Sequence, residues 1–194
     1  MVYRIKTKPK DGTEPIIGTD KNLLDYWRWA HSDIAGNSER GKLAEYIVKC
    51  AVDAHSQFRT EWDAVDIISP TGIRIEVKSS AYLQTWTTTK FSNIIFDIAP
   101  KKSWDSETNL YYDSVGRNSD VYVFCLFACK DPNLANPLDL NQWEFFVINT
   151  AILNQYIPTQ KTITLNSLRK LGAIQVSYPE LQQTILDVSV LSHT

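Results

Sequence analysis

Apolar residues recur every three to four positions through two N-terminal stretches, then every second position or in unbroken runs, so the pattern predicts helices first and strands after them. An arm reaching about Thr19 leads to a helix with Asp20 as its N-cap and Leu23, Leu24 and Trp27 on one face. Ile34 to Asn37 breaks the period. A second helix is predicted to begin near Ser38 and run to about His55, with Leu43, Ile47, Cys50, Ala51 and Ala54 turned to a core. Strands are predicted over about residues 62–69, 73–81, 94–98, 121–129 and 143–150, and short helices over 167–171 and 180–187 around a stop at Gly172. Residues 101–119 are polar and poorly patterned, which predicts a long loop. That succession describes an α/β fold with a mixed central β-sheet flanked by helices. No repeat, low-complexity tract or linker interrupts residues 1–194, so one domain is expected. Residues 1–37 are its N-terminal arm and helix, and residues from about 151 to 194 a helical elaboration.

Composition changes this picture little. The chain has 194 residues, 43% of them hydrophobic, with Gly 7 and Pro 8, the balance of a globular protein with a sizeable core. No run of 18 apolar residues occurs, so no membrane span is expected, and Val121 to Cys129 suits a buried strand. The N-terminal MVYRIKTKPKDG is basic but lacks the apolar segment of a secretion signal. Three cysteines make no disulfide framework, and Cys125 and Cys129 would lie about 13 Å apart on one strand. Reduced, core-filling thiols in a cytoplasmic protein are therefore expected. Lys and Arg total 20 against 22 Asp and Glu, and this formal net charge of −2 argues, taken alone, against a dedicated nucleic-acid binder.

Chemistry enters at the segment from Asp66 to Lys78. Ser69-Pro70-Thr71-Gly72 carries the residue preferences of a type I turn closed by a left-handed glycine, which makes a three-residue hairpin loop. That loop sets Ser69 opposite Ile73, and the register then pairs Ile68 with Arg74, Asp66 with Glu76 and Ala64 with Lys78. One face shows Asp66, Arg74, Glu76 and Lys78; the other shows Val65, Ile67, Ile73, Ile75 and Val77. Two carboxylates thus stand about 5 Å apart at Cβ, where like charges repel and at least one pKa must rise. Lys78 is one compensating charge and a divalent cation is another, since paired carboxylates with room for water suit Mg²⁺. A half-buried hairpin with a surface Glu-Lys pair also accounts for the pattern. Glu45, in an otherwise apolar helical turn, is either a further acidic group beside the pair or half of an ordinary ion pair with Lys49.

With Gly41-x-x-x-Glu45 on a helix, Asp66 next, and Glu76-Val77-Lys78 on the following strand, the chain resembles the PD-(D/E)XK phosphodiesterase superfamily, the restriction-endonuclease-like nucleases. The core of the resemblance spans about residues 38–86, and the segments SERGKLAEYIV and IRIEVKSSAYLQTW look like those of uncharacterised bacterial proteins. Val65 stands where the superfamily pattern has Pro. The resemblance implies a restriction-endonuclease-like core and Mg²⁺-dependent hydrolysis of phosphodiester bonds, with Mn²⁺ able to substitute. It implies Asp66, Glu76 and the Val77 carbonyl as metal ligands, Glu45 as an accessory acidic group and Lys78 as the catalytic lysine. Gln84 falls where some relatives carry a Gln near the substrate. Asp63 is a rival ligand, but its odd parity puts it on the apolar face.

Between Arg74 and Lys102 five basic residues face two acidic ones, so Arg74, Lys90, Ser80 and Gln84 are candidate substrate contacts. His31, His55 and His193 are isolated and expected in cap, core or surface roles. The six tryptophans are expected mostly in the core, with Trp86 and Trp104 in polar surroundings as exceptions. The expected activity is that of a Mg²⁺-dependent DNA endonuclease, with a homodimer open because two strands need two cuts. The alternatives are a catalytically silent nucleic-acid-binding or assembly module of the same fold, and an enzyme acting on a small phosphorylated substrate.

Overall fold

Chain order sets helices before strands, as the periodicity predicts. The computed structural model describes residues 8–56, 58–59, 64–86, 89–105 and 110–190, with the backbone alone at 103–105 and 110–114. Helices α1 (Leu23–His31) and α2 (Asn37–Ala51) lead to strands β1 (Ile67–Ile68), β2 (Arg74–Ala81), β3 (Ile95–Asp97), β4 (Lys101–Asp105), β5 (Leu110–Gly116), β6 (Val121–Phe127) and β7 (Trp143–Asn149). Then come α3 (Thr150–Tyr156), β8 (Thr162–Thr164), α4 (Leu165–Lys170), β9 (Ile174–Val176) and α5 (Leu181–Val190).

The central sheet has five strands in the order β1-β2-β6-β7-β9, with β2 and β6 parallel and the other pairs antiparallel. This is the mixed α/β sheet expected from the sequence. Every residue of β6 is buried, as a central strand covered on both faces requires. On one face Ile75 and Val77 of β2, Val123 and Cys125 of β6 and Phe145 of β7 pack under Ala44, Ile47 and Val48 of α2 and Leu181 and Ile185 of α5. On the other, Tyr122, Phe124 and Leu126 pack with Phe146, Phe96, Ile163, Leu153 and Leu168, contributed by β7, β3, β8, α3 and α4. At β2 that second face changes character, because Glu76 and Lys78 stand in register with Tyr122 and Phe124.

Several expectations are corrected. Helix α1 is capped by Asn22, whose side chain and that of Asp25 form a reciprocal capping box, so Asp20 lies outside it. Helix α1 buries none of its residues and Trp29 is exposed, not core. On α2 the buried stripe is Arg40, Ala44, Ile47 and Val48, which leaves Cys50 exposed and only partly buries Leu43 and Ala51. Of the strand expected at 62–69, the described part contributes only Ile67–Ile68 to the sheet; Trp62 and Asp63 lie outside the described residues. The expected loop at 101–119 is largely the β4–β5 ribbon, with Lys101 opposite Gly116 and Asp105 opposite Leu110. Its strands pair with each other and not with the main sheet. Such pairing rests on main-chain hydrogen bonds and requires no apolar alternation, which hides it from pattern reading. Arg117 anchors the ribbon's end, its buried guanidinium donating to the carbonyls of Ile98, Ile157 and Gln160 and to Asn154 Oδ1.

Among the described residues, no helix is long and apolar enough to cross a membrane.

Candidate active site

The hairpin loop forms as its residues dictate. Gly72 sits at φ +85° and donates to the Ser69 carbonyl at 2.9 Å, while the Ile73 N–H reaches Ser69 Oγ at 3.0 Å. A side chain at Gly72 would be strained in that left-handed backbone. The expected register holds at Ile68 opposite Arg74 and Ile67 opposite Ile75. Val65, Ile67, Ile75 and Val77 are buried, which confirms the apolar face.

The ladder stops at Asp66, where a side chain takes over from the backbone. Asp66 Oδ2 accepts the Val77 N–H at 2.7 Å, in the place a β1 carbonyl would fill. Because a residue's N–H and C=O point to the same edge of a strand, the Val77 carbonyl also faces this side of β2. Ending the ladder early therefore brings one carboxylate and one main-chain carbonyl to a single point.

Burial, and then the Glu76 charge, push the Asp66 carboxyl up to about 6, against the opposing pull of Lys78 and the Val77 N–H. Glu45 adds a smaller push in the same direction. Lys78 Nζ donates to Glu76 Oε1 at 2.5 Å, and Lys101 Nζ from β4 stands 3.5 Å from the same oxygen. The side chains of Lys78 and Glu76 are 17% and 13% exposed, so their pairing is only weakly screened by water. Burial pulls the Lys78 ammonium down, but Glu76, Asp66 and Asp97 outweigh it and hold it above the usual lysine range. Lys78 is thus a fixed positive charge. Burial and the Glu76 charge likewise raise the Tyr122 phenol, which stays neutral.

The structure brings Asp66, Glu76, the Val77 backbone and Lys78 together. Glu45 borders them, but its carboxylate is gripped by Arg59, with Nε at 2.5 Å and a second bond of 3.1 Å. The expected alternative partner, Lys49, is therefore not the residue that holds it. No group of three or more His, Cys, Asp or Glu side chains among the described residues is gathered closely enough to share an ion, so the full triple of carboxylates does not converge. Arg74 is drawn away to Asp120, with bonds of 2.6 and 3.2 Å. Gln84 Nε2 is tied to Ser92 Oγ and the Ala81 carbonyl, while its buried Oε1 lacks a partner in the described structure. Ser80 is half-buried on β2 and Lys90 is exposed. His31 meets Glu39 at 3.1 Å, a structural contact beside α2.

Lys101, Tyr122 and Arg59 were not legible as site neighbours. Each arrives through a pairing or turn that joins distant parts of the chain, and the β2–β6 pairing alone spans 46 residues from Glu76 to Tyr122.

The donor chemistry here fits a hard divalent cation. Two carboxylates and a carbonyl offer only oxygen, and Mg²⁺ keeps several waters and substrate oxygens rather than demanding a full protein cage. The raised Asp66 carboxyl is a further mark of fit, because a cation would offset both the burial and the Glu76 charge that raise it.

Residues 6–167 match the family model described as bacteriophage T4 endonuclease IV. No curated protein matches the chain.

Proposed function

The chain belongs to the bacteriophage T4 endonuclease IV family, and from that membership and the site geometry we propose that it is a Mg²⁺-dependent DNA endonuclease of the PD-(D/E)XK kind. The observation that carries the reading is the Asp66 carboxylate, fixed by the Val77 N–H and pressed against Glu76, with the Lys78 ammonium locked beside it. Asp66, Glu76 and the Val77 carbonyl would hold the Mg²⁺, with Glu45 as an accessory acid, and Mn²⁺ would serve in its place. When bound, the ion supplies charge stabilisation at phosphoryl oxygens and lowers the pKa of a water.

The chain's own residues do the rest. The Val77 N–H fixes the orientation of Asp66, so the carboxylate does not reorganise as the reaction proceeds. Lys78 keeps its proton and places a positive charge where negative charge grows on the phosphate, acting as an electrostatic stabiliser rather than a base. Lys101 adds a second cation on the same side. Tyr122 and Phe124 wall the site from the core and lower the local dielectric, which strengthens each of these interactions.

Incubation of the purified protein with single-stranded and duplex DNA and Mg²⁺ tests the reading. Cleavage abolished by chelator and by Asp66→Ala, and strongly lowered by Lys78→Ala, is the expected result. An inert wild-type protein that binds neither Mg²⁺ nor Mn²⁺ at millimolar concentration would refute it.

A further inference from the structure

Beside the carboxylates lies a cavity of about 640 Å³ that the reaction as described does not use. Lys42 lies three and four residues before Glu45 and Tyr46, and Lys49 four and three after them, so all four line one side of α2. After α2 the chain reverses at Asp53, whose φ is 52°, and returns Phe58 and Arg59 across from that stripe. Asp66 and Ile67 close the cavity on the side of the sheet. The space is therefore continuous with the proposed metal site through Asp66.

Its lining is unusual for a structural crevice. Phe58 is 42% exposed and Tyr46 60% exposed, two aromatic rings that line the cavity rather than either core. Lys49 makes no ion pair among the described residues, because Arg59 has taken the Glu45 carboxylate that helical spacing would have given it. Aromatic faces interleaved with cations are what a nucleotide requires: the rings take the base by stacking and the cations take its phosphates. The volume falls within the range of small-molecule pockets.

We propose that this cavity is a subsite for one nucleotide of the cut DNA strand, adjoining the scissile phosphate. Its base, taken out of the strand's own stack, lies against Phe58 and Tyr46, and its phosphate meets Lys49 and Arg59. The proposal rests on the nuclease reading and adds to it two aromatic positioning residues. Lys49 and Arg59 do not read sequence here, because phosphate contacts position the strand and stacking tolerates any base.

The test is binding of a labelled mixed-sequence DNA oligonucleotide to the full-length protein in chelator, with the nucleotides replaced one at a time by an abasic residue. Cleavage of the same oligonucleotides in Mg²⁺ is followed in parallel. One abasic position should weaken wild-type binding by roughly 5- to 100-fold. Phe58→Ala should lose a similar factor on the intact strand, become insensitive to that abasic position, and recover with Phe58→Trp. Tyr46→Ala should act in the same direction. Unchanged melting temperatures separate these effects from misfolding, since both rings are exposed. Wild-type cleavage in which no abasic position matters, and in which Phe58→Ala binds as tightly as wild type, would overturn the subsite and leave the nuclease reading standing. Abasic-sensitive, Phe58-dependent binding without any Mg²⁺-dependent cleavage would support the subsite and defeat the nuclease reading.

Discussion

One face of the central sheet changes character between neighbouring strands. At β6 and β7 it carries Tyr122, Phe124, Leu126, Phe146 and Ile148, all buried in an apolar cluster beneath α3, α4 and the short β3–β8 pair. One strand away, at β2, the same face carries Glu76 and Lys78, with Asp66 reaching across from the end of β1. The two regions differ in what determines them. In the centre each side chain is stabilised by its neighbours, and replacing one by a smaller group leaves a cavity. At the edge two carboxylates are held together against their repulsion by a backbone N–H and an ammonium, an arrangement that costs stability and that the proposed cation would offset.

The difference predicts opposite responses to mutation. Phe124→Ala, in the centre, should cost about 3–5 kcal/mol through lost burial and a residual cavity; urea unfolding measures it, and a loss near zero would mean the two layers are not packed as described. At the edge, Lys78→Ala should lower single-turnover cleavage by about 10²–10³-fold. Its circular dichroism should stay unchanged, because the sheet hydrogen bonds do not depend on that side chain.

Charge removal at Asp66 should do what no core substitution does. Asp66→Asn keeps an oxygen acceptor for the Val77 N–H and removes the repulsion with Glu76. The raised carboxyl means that the folded state binds the proton more tightly than the unfolded chain does. Wild-type stability in chelator should therefore fall as pH rises from about 4 to about 6, and the deficit should persist above that range. Asp66→Asn should recover about 1–3 kcal/mol at pH 7 and almost nothing near pH 4. Smallest of all, Asp120→Ala should cost about 1 kcal/mol at the other end of β2. There a mostly solvent-exposed Arg74 is paired, and the acceptor of its backbone N–H is lost.

The edge was more legible in the sequence than the centre's surroundings. A Pro-Thr-Gly turn flanked by alternating residues determines loop length, and loop length determines register, so the pairing of Ile68 with Arg74 and Ile67 with Ile75 follows from local chemistry. The expected pairings of Asp66 with Glu76 and Ala64 with Lys78 are not part of the ladder, and Asp66 instead takes the Val77 N–H through its side chain. The order of helices and strands was likewise readable from period alone. The parallel pairing of β2 with β6 was not, because nothing local links Glu76 to Tyr122. Nor was the β4–β5 ribbon, which stands outside the main sheet and shows no apolar alternation. Cys50 was misplaced because the stripe through Ala44, Ile47 and Val48 lies slightly round the helix from the one its periodicity suggested. The pairing of Glu45 with Arg59 rather than Lys49 needed the turn at Asp53, a positive φ on a residue other than glycine.

One protein, Asp66→Asn, tests the account most directly when its stability and its cleavage are measured side by side. The account predicts a variant more stable than wild type in chelator at pH 7, unable to cleave DNA in Mg²⁺, and gaining less thermal stability from added Mg²⁺ than wild type does. A variant that is less stable at pH 7 and still cuts DNA at the wild-type rate would contradict it.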